Sequence, residues 1–302
     1  MRRKKESKKP FIAGFVITVV VLFSLFFGLL YIKPPVNVVS LPAKVPQYNS
    51  LWGKYVPANF ALFGFENYTA IREYNSSYPT QYSTLLDILD LKVSLKSTAI
   101  NAALTVSFSA PNESIAFAFV NSAAFSNFTD AFANANFAAT TVGEDSMYYV
   151  RNDLNGQIQF GWLALIPADQ GIAFAIGNTD AKTAIQNCLQ VTPANALISR
   201  LNVRQMLYVA NGTANHLAIG IQGFPGVIPS ANNTMTVVDA TGTQVVVSRI
   251  LEFGSTSTAV SEYSSVKQDY LNSRQFQVYD SYVQATEYEA LSDVTGAVRL
   301  VE

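Results

Sequence analysis

The stretch Ala103-Leu-Thr-Val-Ser-Phe-Ser109, Ala110-Pro-Asn-Glu113, Ser114-Ile-Ala-Phe-Ala-Phe-Val120 is apolar at every second position on both sides of a Pro-Asn turn. A strand turns successive side chains to opposite faces, so period two marks a strand with one buried face. A turn between two such runs marks an antiparallel hairpin. The same alternation, rich in β-branched and aromatic residues, recurs at residues 60–65, 87–95, 147–151, 158–166 and 171–176, with Asp169-Gln170-Gly171 linking the last two. The expected fold class is α+β: a mainly antiparallel sheet with a few covering helices.

Helical spacing interrupts this pattern in few places. Ala124, Phe125, Phe128, Ala131, Phe132 and Ala135 recur at three and four behind Ser122, and Ala259, Val260, Tyr263, Val266 and Tyr270 do so behind Ser257. Such stripes draw one apolar helix face, and a serine before them supplies a cap. Residues 180–189 read as a shorter helix. The two stripes map onto each other at constant offset, each after a hydrophobic hairpin. Leu62-Phe63-Gly64-Phe65-Glu66-Asn67-Tyr68-Thr69 also resembles Met206-Leu207-Tyr208-Val209-Ala210-Asn211-Gly212-Thr213, as a strand ending in a sequon. This suggests an internal repeat of two α+β units, 52–190 and 198–302, divided near Val191-Thr192-Pro193-Ala194-Asn195.

Before these units the chain changes character. Residues 1–10 hold six of the twenty basic residues, and residues 11–32 hold no charged side chain. At about 1.5 Å per residue that run crosses a hydrocarbon core of roughly 30 Å as a helix. Lys33-Pro34-Pro35 ends it, because proline removes a backbone donor. Basic residues crowd the amino side, which places that side in the cytoplasm. The expectation is a single-pass protein of the cell membrane: a cytoplasmic basic tail (1–10), a signal-anchor transmembrane helix (11–32) embedded in lipid, a proline-rich stalk (33–51) and an extracytoplasmic remainder. A cleaved signal peptide would have an apolar region of about 7–15 residues and a small-x-small site, and Val38-Val39-Ser40 matches that poorly. A prepilin would cut near Gly14-Phe15, yet the acidic residue that bacterial pilins carry early in the helix has no counterpart between Phe15 and Ile32.

Past Lys33 there are thirteen basic and twenty acidic residues, so the outer part is acidic although the whole chain is near neutral. Nucleic acid needs clustered Lys and Arg, and none occur past Lys9, so no nucleic-acid partner is expected. Richness in Asn, Ser, Thr and Tyr resembles that of archaeal surface proteins, in composition alone. Asn67, Asn75, Asn112, Asn127, Asn211 and Asn232 each begin an Asn-x-Ser/Thr sequon, and in the expected topology all face the glycosylating side. Cys188 is the only cysteine, so no intramolecular disulfide can form.

The search for chemistry proceeds by elimination. One histidine, His216, and one cysteine leave no His- or Cys-rich metal site, and no cofactor is expected. His216 follows Asn211-Gly212-Thr213-Ala214-Asn215 without a Gly-x-Ser-x-Gly elbow, and reads as a turn residue. Asp87 and Asp90 would fall on opposite faces of one strand. Val238-Asp239-Ala240-Thr241-Gly242 resembles an aspartic-protease Asp-Thr-Gly with one residue inserted, and reads better as a hairpin turn. Gly220-Ile-Gln-Gly223-Phe-Pro-Gly226 fits no phosphate cradle and reads as a loop. Tyr74, Tyr78 and Tyr82 form an aromatic cluster suited to local packing or to a partner. The expected function is that of a non-catalytic, membrane-anchored binding or assembly protein meeting a protein or glycan partner at the cell surface: an envelope, adhesion or pilus-associated subunit, or an accessory subunit of a membrane complex. The alternative is an extracytoplasmic hydrolase using paired carboxylates.

Overall fold

The computed structural model describes residues 36–78, 84–110, 112–154, 157–210, 216–223 and 228–301. The tail and apolar run at 1–32 lie outside these residues. Among the described residues no helix is long and apolar enough to cross a membrane.

Among the described residues fifteen strands join one sheet. In chain order they are β1 (Val38–Val39), β2 (Leu62–Glu66), β3 (Thr84–Ile88), β4 (Val93–Lys96), β5 (Ile100–Ser109), β6 (Asn112–Val120), β7 (Thr140–Val142), β8 (Asp145–Leu154), β9 (Gln157–Ile166) and β10 (Gly171–Ile176). They continue as β11 (Ala218–Gln222), β12 (Asn233–Thr241), β13 (Gln244–Glu252), β14 (Gln275–Tyr279) and β15 (Tyr282–Ala290). The spatial order is β1-β14-β15-β13-β12-β11-β2-β5-β6-β10-β9-β8-β3-β4, with β7 paired to β8. Every pairing is antiparallel except β1 on β14. Among the described residues six helices cover it: α1 (Tyr68–Arg72), α2 (Ser122–Asn134), α3 (Thr179–Leu189), α4 (Leu201–Val209), α5 (Thr256–Asp269) and α6 (Val294–Val298).

The opening hairpin forms as its alternation requires. Leu104 pairs with Phe117 and Val106 with Ile115, so one face of β5–β6 is a run of large apolar side chains. That face packs with Ala181, Ala184, Ile185 and Cys188 of α3 and Val203, Met206 and Leu207 of α4. The opposite face carries Leu163, Leu165, Ile172 and Phe174, with Phe128 and Phe132 of α2 among them, and farther along Val245 and Val247 with Val294, Ala297 and Val298 of α6. Both sheet faces are therefore interior, each with its own core.

The middle of the sheet is the β2–β11 pair. Its five register pairs centre on Gly64 opposite Gly220. Outward from this pair the strand order is β2-β5-β6-β10-β9 on one side and β11-β12-β13-β15-β14 on the other. Each path is a strand, a hairpin, a helix (α2 or α5), then a hairpin whose second strand returns beside the first hairpin. Val301 sits over the seam: a Cβ at Gly220 would meet Val301 Cγ1 and its carbonyl at 2.8 Å, and one at Gly64 would meet that carbonyl at 3.5 Å. Two facing glycines make the notch that the chain end fills.

Several expectations need correction. Residues 206–209, read as a strand, form the end of α4, so the repeat alignment built on them fails; the strand that pairs with β2 is β11. Residues 87–95 are not one strand: Lys92, at φ 51°, turns the chain between β3 and β4. The caps are Asn121, whose side chain accepts from Ala124 N, and Ser255, whose side chain accepts from Thr258 N, in place of Ser122 and Ser257. Gly220 lies in a strand, not a loop. From Val38 the proline-rich segment packs on the folded body: Val38 and Val39 pair with Val278 and Tyr279, Val45 is buried, and Leu41 N donates to Asp280 Oδ2 at 2.9 Å.

Candidate functional site

A cavity of about 880 Å³ opens over the β12–β13–β15–β14 part of the sheet. Register explains its floor. Val246 faces Tyr288, Ser248 faces Thr286, and Gln275 of β14 faces Thr286 from the other side. These side chains share one face of the pleat. α4 covers the far end of that face, where Tyr282 Oη donates to Gln205 Oε1 at 2.8 Å. Beyond Gln205 the floor is uncovered. Asn67, Thr69, Ala70, Glu73 and Tyr74, with Ala210 and Leu217, form the wall. A smaller hollow lined by Arg274, Gln275, Gln277, Tyr279, Gln284 and Thr286 extends the cleft across β14.

The floor is polar without being charged. Ser248, Gln284 and Thr286 are buried, and Gln284 Nε2 donates to Ser248 Oγ over a long 3.4 Å. Tyr288 Oη donates to Gln275 Oε1 at 3.0 Å, which fixes the Tyr288 ring. Among the described residues no Lys or Arg lines the main cleft, while Glu73 and Asp239 do. Such a lining offers hydrogen bonds in both directions and repels anions.

At its inner end the structure joins two residues that sequence left apart. His216 is buried, and its Nδ1 lies 2.9 and 3.0 Å from the two Asp239 oxygens. The carboxylate can only accept, so Nδ1 carries the proton, and Nε2, also buried, has no partner among the described residues. His216 is therefore no exposed turn residue. Asp239 lies on β12, and the turn comes three residues later at Gly242, φ 58°. His216 also lines a second cavity of about 410 Å³ with Asn67, Asn101, Phe119, Asp169 and Gln170. There Asp169 accepts from Lys54 Nζ and Tyr55 Oη, both at 2.6 Å. Burial pushes the Asp169 carboxyl up, but these bonds and the Lys54 charge outweigh it and hold it below its ordinary value. Burial and the neighbouring Asp169 push the Tyr55 hydroxyl far up.

The other predicted residues scatter. Asp90 accepts from Arg151 at 2.8 Å on the surface, and Asp87 is on β3, so they form no carboxylate pair in a cleft. Tyr78 is buried with its hydroxyl 2.6 Å from Glu66, Tyr74 lines the cleft, and Tyr82 lies outside the described residues. Of the sequons, Asn112, Asn127 and Asn232 are exposed, and Asn211 lies outside the described residues. Asn67 lines the cleft and caps α1 through its carbonyl oxygen, which accepts from Ala70 N at 3.1 Å, leaving its nitrogen uncommitted to the cap. Asn75 Nδ2 donates to Thr295 Oγ1 at 2.9 Å. Sequence reading missed Ser248, Gln275, Gln284 and Thr286. Their only signal is a hydroxyl or amide at positions where alternation calls for an apolar side chain.

No family model matches the chain, and no curated protein matches it in sequence. Among solved structures, crystal form III of TP0453 has a TM-score of 0.45 at 9% identity, covering 85% of this chain and 99% of that one. Crystal form I gives 0.45 at 10%, covering 86% and 99%, and crystal form IV 0.43 at 11%, covering 86% and 98%.

Proposed function

We propose that the chain is a membrane-anchored surface protein that acts by binding. Residues 11–32 are its lipid anchor, residues 1–10 stay in the cytoplasm, and the sheet domain faces outward carrying glycans on some of its six sequons. The observation that carries the reading is the open cleft: a floor of uncharged donors and acceptors with tyrosines over it suits recognition of a partner molecule. Protease added to intact cells is expected to remove the domain and spare residues 1–32, and mild surface crosslinking to recover a partner that is lost in a Tyr288→Ala variant. Protection from protease, or a partner indifferent to the cleft, overturns the reading. The shared path of the two segments, 62–176 and 218–290, is read as a duplication. Superposing their Cα atoms tests it, and failure to align β2 with β11 and β10 with β15 ends it.

A second reading, a carboxylate-dependent hydrolase, is favoured by Glu73 and Asp239 lining the same cleft. It requires turnover that Glu73→Gln or Asp239→Asn abolishes.

A further inference from the structure

We propose that the cleft binds a neutral oligosaccharide; this rests on the binding reading above and names its ligand. Charge removes the anions first. With Glu73 and Asp239 in the main cleft and no Lys or Arg lining it among the described residues, a phosphate, sulfate or uronate placed there would meet repulsion; Arg274 lies out in the extension across β14. The floor removes the lipids, because Ser248, Gln275, Gln284 and Thr286 would lose their water to an acyl chain and gain no hydrogen bond in return. An extended peptide adds to a sheet through a free edge, whereas this cleft lies over the sheet face, and at the edge β1 already pairs with Val278 and Tyr279 of β14. A polyamine would seek both carboxylates, but Asp239 already accepts from His216 through both oxygens.

A sugar satisfies what remains. Its hydroxyls donate and accept, as do the Gln284 carboxamide and the Thr286 and Ser248 hydroxyls, which the protein leaves underused: among the described residues Gln284 makes only its 3.4 Å contact to Ser248. Its C–H faces pack on aromatic rings, and Tyr74, Tyr279 and Tyr288 all line the cleft. Tyr288 is fixed by Gln275, so its ring is in place before a ligand arrives. The extension across β14 adds room for further residues along a chain.

Two sources share this chemistry. One is a glycan of the cell envelope. The other is the protein's own glycan on Asn67, whose side chain lines the cleft. The full chain, made without N-glycosylation and held in detergent micelles, is tested on a printed panel of neutral and sulfated oligosaccharides, with spermidine titrated by calorimetry. Retention on neutral oligosaccharides and none on sulfated ones is expected, falling at least tenfold in Tyr288→Ala and in Thr286→Val, the latter chosen because it keeps the fold. If glycosylated protein retains the same oligosaccharides, the source is external; if glycosylation abolishes retention, the Asn67 glycan fills the cleft. Cleavage of a retained oligosaccharide supports the saccharide and replaces binding by hydrolysis. No neutral oligosaccharide retained, retention unchanged in both variants, or spermidine binding in place of sugar overturns the proposal. A crosslinked partner on cells with no saccharide retained leaves the binding reading standing with another ligand, and loss of both removes it.

Discussion

The two segments that flank the Gly64–Gly220 pair follow the same strand order, yet they use equivalent faces differently. On β6 and β10 that face carries Ile115, Phe117, Phe119, Ala173 and Ala175, sealed beneath α3. On β13 and β15 it carries Val246, Ser248, Gln284, Thr286 and Tyr288, and no helix closes over them. One path thus yields a core in the first segment and a cleft in the second. The change of side chain from apolar to polar on three or four inward positions, together with the missing cover, makes the difference. A cleft on such a sheet needs no new loop.

Substitutions on the two faces should break this comparison or sharpen it. Phe117 is 2% exposed in the sealed face, and Phe117→Ala is expected to lower stability by about 3–5 kcal/mol, read from denaturant unfolding. At the seam, Gly220→Ala forces a methyl to within 2.8 Å of Val301, and a loss of about 1–3 kcal/mol is expected in the same measurement. Asp169→Asn removes the charge facing Lys54 and replaces one of the two accepting oxygens by a donor, so Lys54 and Tyr55 can no longer both be served as they are. A loss of about 1–2 kcal/mol is expected, mostly from the Tyr55 bond, because exposed ion pairs contribute little.

Asp169 also sets a pH dependence. Its folded carboxyl titrates below the unfolded value of about 3.9, so in that range the native state binds fewer protons than the unfolded one. The stabilisation is full above about pH 4 and is lost as pH falls through the folded value. Asp145 has the opposite sign: burial, then Glu144 and Asp169, raise its carboxyl, so its contribution improves as pH falls through its folded value. Thermal melts of Asp169→Asn and Asp145→Asn between pH 3 and 7 are expected to change the acid limb in opposite directions. The smallest effect belongs to the cleft floor. Thr286→Val removes a hydroxyl that bonds nothing among the described residues, and a change within about 0.5 kcal/mol is expected. A large loss there would mean that the floor is a packed core after all.

Much of the sheet was legible because its signal is local. Residues 103–120 alternate so cleanly that strand, turn and face follow from them alone, and the α2 and α5 stripes are as clear. What failed was mostly a matter of competing local signals. Residues 206–209, Met-Leu-Tyr-Val, are β-formers by composition, but they continue a turn of α4 whose Val203, Met206 and Leu207 face the core at helical spacing. Asp87 to Leu95 alternates through a turn that a lysine makes in a conformation better suited to glycine. The candidate site was the least legible part. His216 and Asp239 are 23 residues apart and meet only because β11 pairs with β12, and the cleft is made by a helix that is absent from one face, which no single residue announces.

The pair at the centre also bears on how the molecule assembles. β2 and β11 meet across more than 150 residues of chain, while β5–β6, β8–β9 and β12–β13 are neighbours joined by short turns. Closing so long a loop precedes any reward from the contact, so the hairpins form early and the central seam late. Until it closes, β2 and β11 each present an unpaired edge, and Val301 has no notch to occupy. Two half-folded copies could exchange those edges, which makes the glycine pair the natural seam for a domain swap.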